Sequence, residues 1–301
     1  GSRLMHRIVP VDGPLHLRHT LSPLRRGRFD PTTRFEGPVF WRALRTPDGS
    51  ATTRMTPAPG GITVSAWGPG AGWVLEAAPR LTGAADHDWE VVPHHPIVAD
   101  LQRRMPGIRF PSWPTVIDIL VPTVLEQKVV ARTARDAYRR LVLRLGERAP
   151  GPAKLWLPPD PQDLAGLPYY EFHPYGVEQR RAGIIRFACS RSRRLEETVG
   201  MSGEEARKRL EAIPGIGRWT SAEIARIAWG DGDAVSVNDF HLPHTVSWAL
   251  AGEARGTDER MLQLLEPYVN KRARVVRLIE AAGIAAPKFG PRQAIQRFSH
   301  F

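Results

Sequence analysis

Apolar positions recur with two different periods along the chain, and the change falls near residue 95. Before it, short β-type runs at 15–20, 39–45, 51–55, 62–67 and 73–77 are separated by Pro47-Asp48-Gly49, Pro57-Ala58-Pro59-Gly60-Gly61 and Gly68-Pro69-Gly70. Short runs with turn signals at this spacing predict a small antiparallel sheet. Residues 93–114 are Pro-rich and read as a connection. From about residue 115, apolar residues fall three and four apart, which predicts helices over 115–145, 177–198, 203–213, 218–229, 242–250, 258–265 and 270–282. Pro122 starts or kinks the first of these, and Pro150-Gly151-Pro152 and Pro158-Pro159 mark a loop. Residues 234–237 form one more β-type run, no internal repeat is present, and the tail from Pro287 is basic without periodicity. The expected fold class is α+β, with a β-rich domain at 1–95 and an all-helical domain at 96–301.

Composition narrows the possibilities. With 301 residues, 42% hydrophobic and 24% charged, the chain can bury two ordinary cores. Its longest apolar run, 116–124, is broken by Asp118 and Pro122 and falls far short of the roughly 20 residues that span a bilayer. The expectation is a soluble, monomeric protein in the bacterial cytoplasm, associated with the nucleoid and not with a membrane. A single cysteine, Cys189, excludes an intramolecular disulfide and any four-cysteine zinc or iron–sulfur site, and it reads as a small packing residue. The net charge of +11 suits a polyanionic partner, although solubility or an arginine-rich genome explains such an excess equally well. His94-His95 and the H-x-x-H pair His241/His244 have no Cys or carboxylate partner at metal-site spacing, so no metal is expected.

The most informative segment is Leu210-Glu211-Ala212-Ile213-Pro214-Gly215-Ile216-Gly217-Arg218-Trp219-Thr220. Two amphipathic helices flank Pro-Gly-Ile-Gly. Gly215 and Gly217 remove side chains where φ is positive or where backbone approaches a partner, and Ile216 is placed to plug between the helices. A plain helix–helix turn ending on glycine is the simpler alternative. The whole string favours a site that turns backbone N–H groups toward a phosphate oxygen at a helix N-terminus.

This string resembles the hairpin of the helix-hairpin-helix DNA glycosylases (about 204–229 here), and the two-part layout resembles the alkylpurine type within that superfamily. The resemblance implies that Pro214, Gly215, Ile216, Gly217 and Thr220 hold the DNA backbone, often with a monovalent cation, and that no other cofactor is required. It places the family's catalytic aspartate at Asp239, which a purely structural reading makes a helix N-cap. A fixed carboxylate there stabilises the positive charge that builds on the sugar as the glycosidic bond breaks. Bifunctional relatives carry a lysine two residues after the second hairpin glycine; here that residue is Trp219, and an indole forms no imine. The resemblance therefore implies a monofunctional enzyme, with Trp219 beside the base. It also places Gln127 at the gap left by the everted nucleotide and Lys128 at the wedge, on a helix through 125–129. A solvated helix-face lysine describes Lys128 equally well.

Glu223 stands where an aromatic would line the base pocket, and Leu278 and Ile279 stand near another such place. Glu223 reads either as attracting a cationic base or, more commonly, as a solvated helix residue. The implied function is excision of alkylated purines from damaged double-stranded DNA in base excision repair, leaving an abasic site. Two alternatives stay open: a non-catalytic DNA-binding protein that keeps the hairpin as an anchor, and a glycosylase narrowed to one bulky adduct for self-resistance.

Overall fold

The computed structural model describes residues 4–288. The N-terminal part holds β1 (Met5–Pro10), α1 (Leu17–Leu21), β2 (Thr33–Glu36), β3 (Val39–Thr46), β4 (Gly49–Ala58), β5 (Gly61–Trp67) and α2 (Ala71–Leu81). Helices α3 (Pro96–Arg104), α4 (Val116–Leu125), α5 (Ala131–Leu145), α6 (Pro161–Gly166), α7 (Tyr169–Phe172), α8 (Gln179–Ser190) and α9 (Ser192–Glu196) follow. The chain continues through α10 (Gly203–Glu211), α11 (Arg218–Ala228), α12 (Leu242–Ala251), α13 (Asp258–Leu265) and α14 (Arg272–Ala281). Much of the basic tail after Pro287 lies outside the described residues.

The five strands form one antiparallel sheet in the order β1-β5-β4-β3-β2. The β3–β4 register pairs Phe40 with Met55 and Leu44 with Ala51, so their apolar side chains share a buried face. The opposite face is covered by the 153–157 segment, where Leu155 and Leu157 pack beside the stacked rings of Trp41 and Trp67, 5.6 Å apart. The α+β class is as the sequence indicates, with local differences. Residues 15–20 and 73–77 are not strands. They lie in or beside α1 and α2, where Leu17/Leu21 and Ala71/Val74/Ala78/Leu81 bury one helical face at three- and four-residue spacing. Windows of five and six residues are too short to show that period. The sheet's two edges, β1 and β2, carry few buried residues and gave no alternation to read. Residues 93–114 contain α3, and residues 234–237 form no strand.

The helices are organised around two cores. The first centres on α4, buried at all ten positions, and is continuous with the sheet's inner face through Phe40 and Trp113. The second joins α3 to α12, α13 and α14 through Val98, Leu101, Val246, Met261 and Ile279. The expected 115–145 helix is two, α4 and α5, separated by a turn at 126–130. Arg181, 1% exposed, fixes that break: its guanidinium donates to the Leu125 carbonyl (2.6 Å) at the C-terminus of α4 and to the Gly176 carbonyl (2.9 Å), and it pairs with Glu178.

The other end of α4 is closed by Glu196, which accepts the Val116 and Ile117 N–H groups at 2.9 and 3.1 Å. Burial pushes its carboxyl up to about 7, against those hydrogen bonds. Asp118, inside α4, is pushed up to about 6 by burial, with Arg42 opposing. Both groups hold a proton in the folded chain at pH values where the unfolded chain has released it. Their contribution to stability is fully present below about pH 4 and is lost as pH rises through about 6 and 7, with about 1–2 kcal/mol of it lost for Glu196 between pH 5 and 7. Thermal melts between pH 5 and 8 should show this decline, and Glu196→Gln should flatten it. A melting temperature that climbs over the same range contradicts the assignment.

Candidate active site

The hairpin is built from α10, the turn at 212–217 and α11. Helix α10 opens with a reciprocal capping box between Ser202 and Glu205. Leu210, Ile213 and Ile216 are buried, and the Ile216 N–H donates to the Ile213 carbonyl (3.0 Å), so Ile216 plugs the turn into the first core. The two glycines have different reasons for being there. Gly215 has φ 92°, and a Cβ on it would lie 2.4 Å from Ile184 Cδ1. Gly217 has an extended φ of −102°, with nothing within 4 Å of a Cβ. Gly217 caps α11 without a side-chain bond, and the Ser221 N–H donates to its carbonyl (3.0 Å). The preceding N–H groups of the first turn therefore point out of the helix end without intrahelical partners.

Helix α11 carries Trp219 in its first turn, and the 230–241 segment brings Asp239 to it. Asn238 takes φ 63°, a left-handed conformation that Asn tolerates better than most residues, and its N–H donates to Asp258 (2.9 Å). Asp239 follows, half-buried, with three donors on its carboxylate. Oδ1 accepts from the His241 and Leu242 N–H groups, both at 2.8 Å, and Oδ2 accepts from Trp219 Nε1 at 2.9 Å. Leu242 opens α12, so the carboxylate also sits at the positive end of that helix. An ionised carboxylate has about four acceptor sites, so one remains after these three bonds. The arrangement is a rigid, anionic group that can hold a water or face a cation. The neighbouring acids are occupied elsewhere. Burial opposes ionisation of Asp233, but hydrogen bonds and charge from Arg272 outweigh it and hold the carboxyl below its usual range. Asp231 pairs with Arg207.

Asp239 and Trp219 line an open cleft of about 890 Å³ with Gln127, Lys128, Gly215, Gly217 and Thr220. The sequence-selected residues thus converge, with three differences. First, residues 126–130 form a turn between α4 and α5, so Lys128 is exposed in a left-handed conformation (φ 55°) at the tip and not on a helix face. Second, Gln127 is committed to the fold: its Nε2 donates to the Gly215 carbonyl (3.1 Å) and Thr220 Oγ1 (2.9 Å), and Arg180 donates to its Oε1 (3.2 Å). The Thr220 hydroxyl is buried in the same contact. Third, Glu223 does not border the cleft; it pairs with Arg226 (2.9 Å) and accepts from the Ser236 hydroxyl.

Sequence reasoning passed over several residues at the cleft. Phe240, directly after Asp239, is 77% exposed at its mouth, its ring edge-on to His241. Val130, at the end of the turn, is 71% exposed, and Arg180 lines the wall. Phe240 and Val130 stood beside residues already singled out, but only the fold shows them bare.

No protein-family model matches the chain. In sequence it is 29% identical over 159 residues to DNA-3-methyladenine glycosylase 2 of Escherichia coli, an overlap of 52% of this chain and 56% of that protein. It is 26% identical over 213 residues to a probable bifunctional transcriptional activator/DNA repair enzyme AlkA of Mycobacterium tuberculosis, over 68% of this chain and 42% of that one. The matches thus span about half the length of these curated relatives. In structure, the 3-methyladenine DNA glycosylase of Archaeoglobus fulgidus superposes with a TM-score of 0.75 at 16% identity, covering 92% of this chain and 98% of that one. The apo 8-oxoguanine glycosylase/lyase of Clostridium acetobutylicum gives 0.70 at 11% identity, covering 93% and 97%. The chain thus shares its fold with these two DNA glycosylases, and over about half its length it is similar in sequence to DNA-3-methyladenine glycosylase 2 of Escherichia coli.

Proposed function

We propose that the protein is a monofunctional DNA glycosylase that removes alkylated purines from duplex DNA and leaves an abasic site. One observation carries the reading: a carboxylate fixed by an indole N–H and two backbone N–H groups lies in the same cleft as the Gly215–Gly217 turn. The turn holds the phosphates of the damaged strand. The nucleotide swings out of the stack, because the bond to be cut is otherwise out of reach. Asp239 faces the sugar as its C1′–N bond lengthens, and its charge stabilises the oxocarbenium character that develops. Water attacks C1′, held by the acceptor site that the three donors leave free, and gives up its proton to Asp239 or to solvent. The base departs without a protein acid, because alkylation has already made the purine a cationic leaving group. Trp219, whose ring borders the cleft, offers an electron-rich face to that cation.

The test is release of bases from randomly methylated duplex, identified by mass. Methylated purines should appear with wild-type protein, whereas a protein that binds the duplex and releases none is a DNA-binding module only.

The absence of lyase chemistry has its own check. Residue 219 carries no amine, and Lys128 sits on the turn opposite Asp239 as a solvated side chain. Incubation with abasic duplex and borohydride should leave no covalent protein–DNA adduct. A trapped adduct that disappears in Lys128→Ala would make the enzyme bifunctional.

A further inference from the structure

Arginines crowd a second cleft, of about 1000 Å³, on the far side of the 126–130 turn, between the 25–30 loop and α5. The loop comes from the sheet-bearing part of the chain, yet it is docked on the helices. Arg26 donates to Glu126 and to the Thr123 hydroxyl, both at 3.2 Å, and the backbone at Gly27 lies so close to Arg135 that a Cβ there would meet its Cδ at 2.7 Å. Glu126 also lines the Asp239 cleft, so a single turn is the wall between the two.

Arginine dominates the lining, six against the two carboxylates of Asp30 and Asp136, and Asp30 is held by the Arg26 and Thr32 N–H groups. Arg132, Arg135 and Arg139 share a face of α5, and Arg28 faces them from the loop. Asp136 pairs with Arg139 and Arg140, whereas among the described residues no carboxylate lies within 4.0 Å of Arg28, Arg132 or Arg135. Phe29 stands 73% exposed in the middle, with the Arg28 guanidinium 5.5 Å from its ring centre. Bare guanidinium groups around an exposed aromatic ring are what a nucleic-acid strand requires, with charge for its phosphates and a flat apolar face for a base or sugar.

We propose that this loop–helix surface carries the undamaged strand of the duplex while the Asp239 cleft holds the other, with the 126–130 turn between them. The proposal rests on the DNA reading above. It makes the 25–30 loop part of the binding surface, with Phe29 against the second strand.

Anisotropy titrations with a 20-base-pair duplex carrying a stable abasic analogue, run from low to moderate salt, test it. Replacing Arg28, Arg132 and Arg135 together by Ala should make the slope of log Kd against log salt shallower by about two to three and weaken binding roughly tenfold at ~0.1 M salt. The same three changed to Lys should keep the slope. Arg132→Ala alone, wholly on the surface, should cost about one unit. Phe29→Ala should weaken duplex binding severalfold with the slope unchanged. A single strand with the same lesion should respond much less. An unchanged slope in the triple Ala variant overturns the proposal, and so does an equal loss on single and double strands. So does arginine-dependent binding to anionic vesicles with the duplex slope intact. If wild type shows the arginine-dependent duplex slope but releases no base, the glycosylase reading fails and this surface stands. If it excises alkylpurines while the slope ignores these arginines, only the surface proposal fails.

Discussion

Asp239→Asn should lower base release roughly hundred- to thousandfold under single-turnover conditions while leaving duplex binding nearly intact, the size of loss seen when one preorganised electrostatic contact to a transition state is removed. The substitution is close to isosteric. The amide oxygen can keep both backbone N–H bonds from His241 and Leu242, so the turn into α12 holds. The amide nitrogen then replaces the oxygen that accepts from Trp219, setting donor against donor and costing about 1–2 kcal/mol of stability. What disappears is the negative charge at the sugar. Chromatography of released methylpurines, with anisotropy for binding, separates the two effects. Retention of more than about a tenth of the wild-type rate would place the catalytic charge elsewhere.

Gly215→Ala should destabilise the fold by about 2–4 kcal/mol and weaken duplex binding, whereas Gly217→Ala should leave stability within about 0.5 kcal/mol. The contrast comes from geometry. At Gly215 a side chain would have to adopt φ 92°, at a cost of about 1–2 kcal/mol, and its Cβ would press on Ile184 in the first core. The turn can relieve the contact only by moving, and the Gly215 carbonyl would then leave Gln127. At Gly217 the backbone is extended and the space is open, so any effect of Ala there comes from a partner approaching the helix end. Urea unfolding with a binding titration distinguishes these cases. Equal stability of the two variants would mean that the hairpin is not held by the contacts described.

The hairpin was legible because its requirements are local: two amphipathic helices and the Pro-Gly-x-Gly turn between them leave a signature within thirty residues. Helix α13 was legible from its apolar spacing, and the structure adds Thr257 as its N-cap. The contact between Asp239 and Trp219 was not, since residues twenty apart meet only through the left-handed turn at Asn238 and the packing of α12. The commitment of Gln127 to Gly215 is likewise a tertiary fact, 88 residues distant in sequence. The break after Leu125 was hidden because α4 is buried on every side, so its apolar residues show no periodicity that marks an end, and the residue that closes it, Arg181, lies in another helix. Nothing in the sequence announced that a loop from the sheet would settle beside the arginines of α5.

The link through Gln127 has a mechanical consequence. One amide fastens the turn that carries Lys128 and Val130 to the turn that carries Gly215, so the two jaws of the cleft form a single calliper set before any ligand arrives. On the proposed reading the protein sets the gap between them, so a duplex would have to deform to fit it. The work of distortion would then fall on the nucleic acid, and a strand already weakened by a lesion would yield at the least expense.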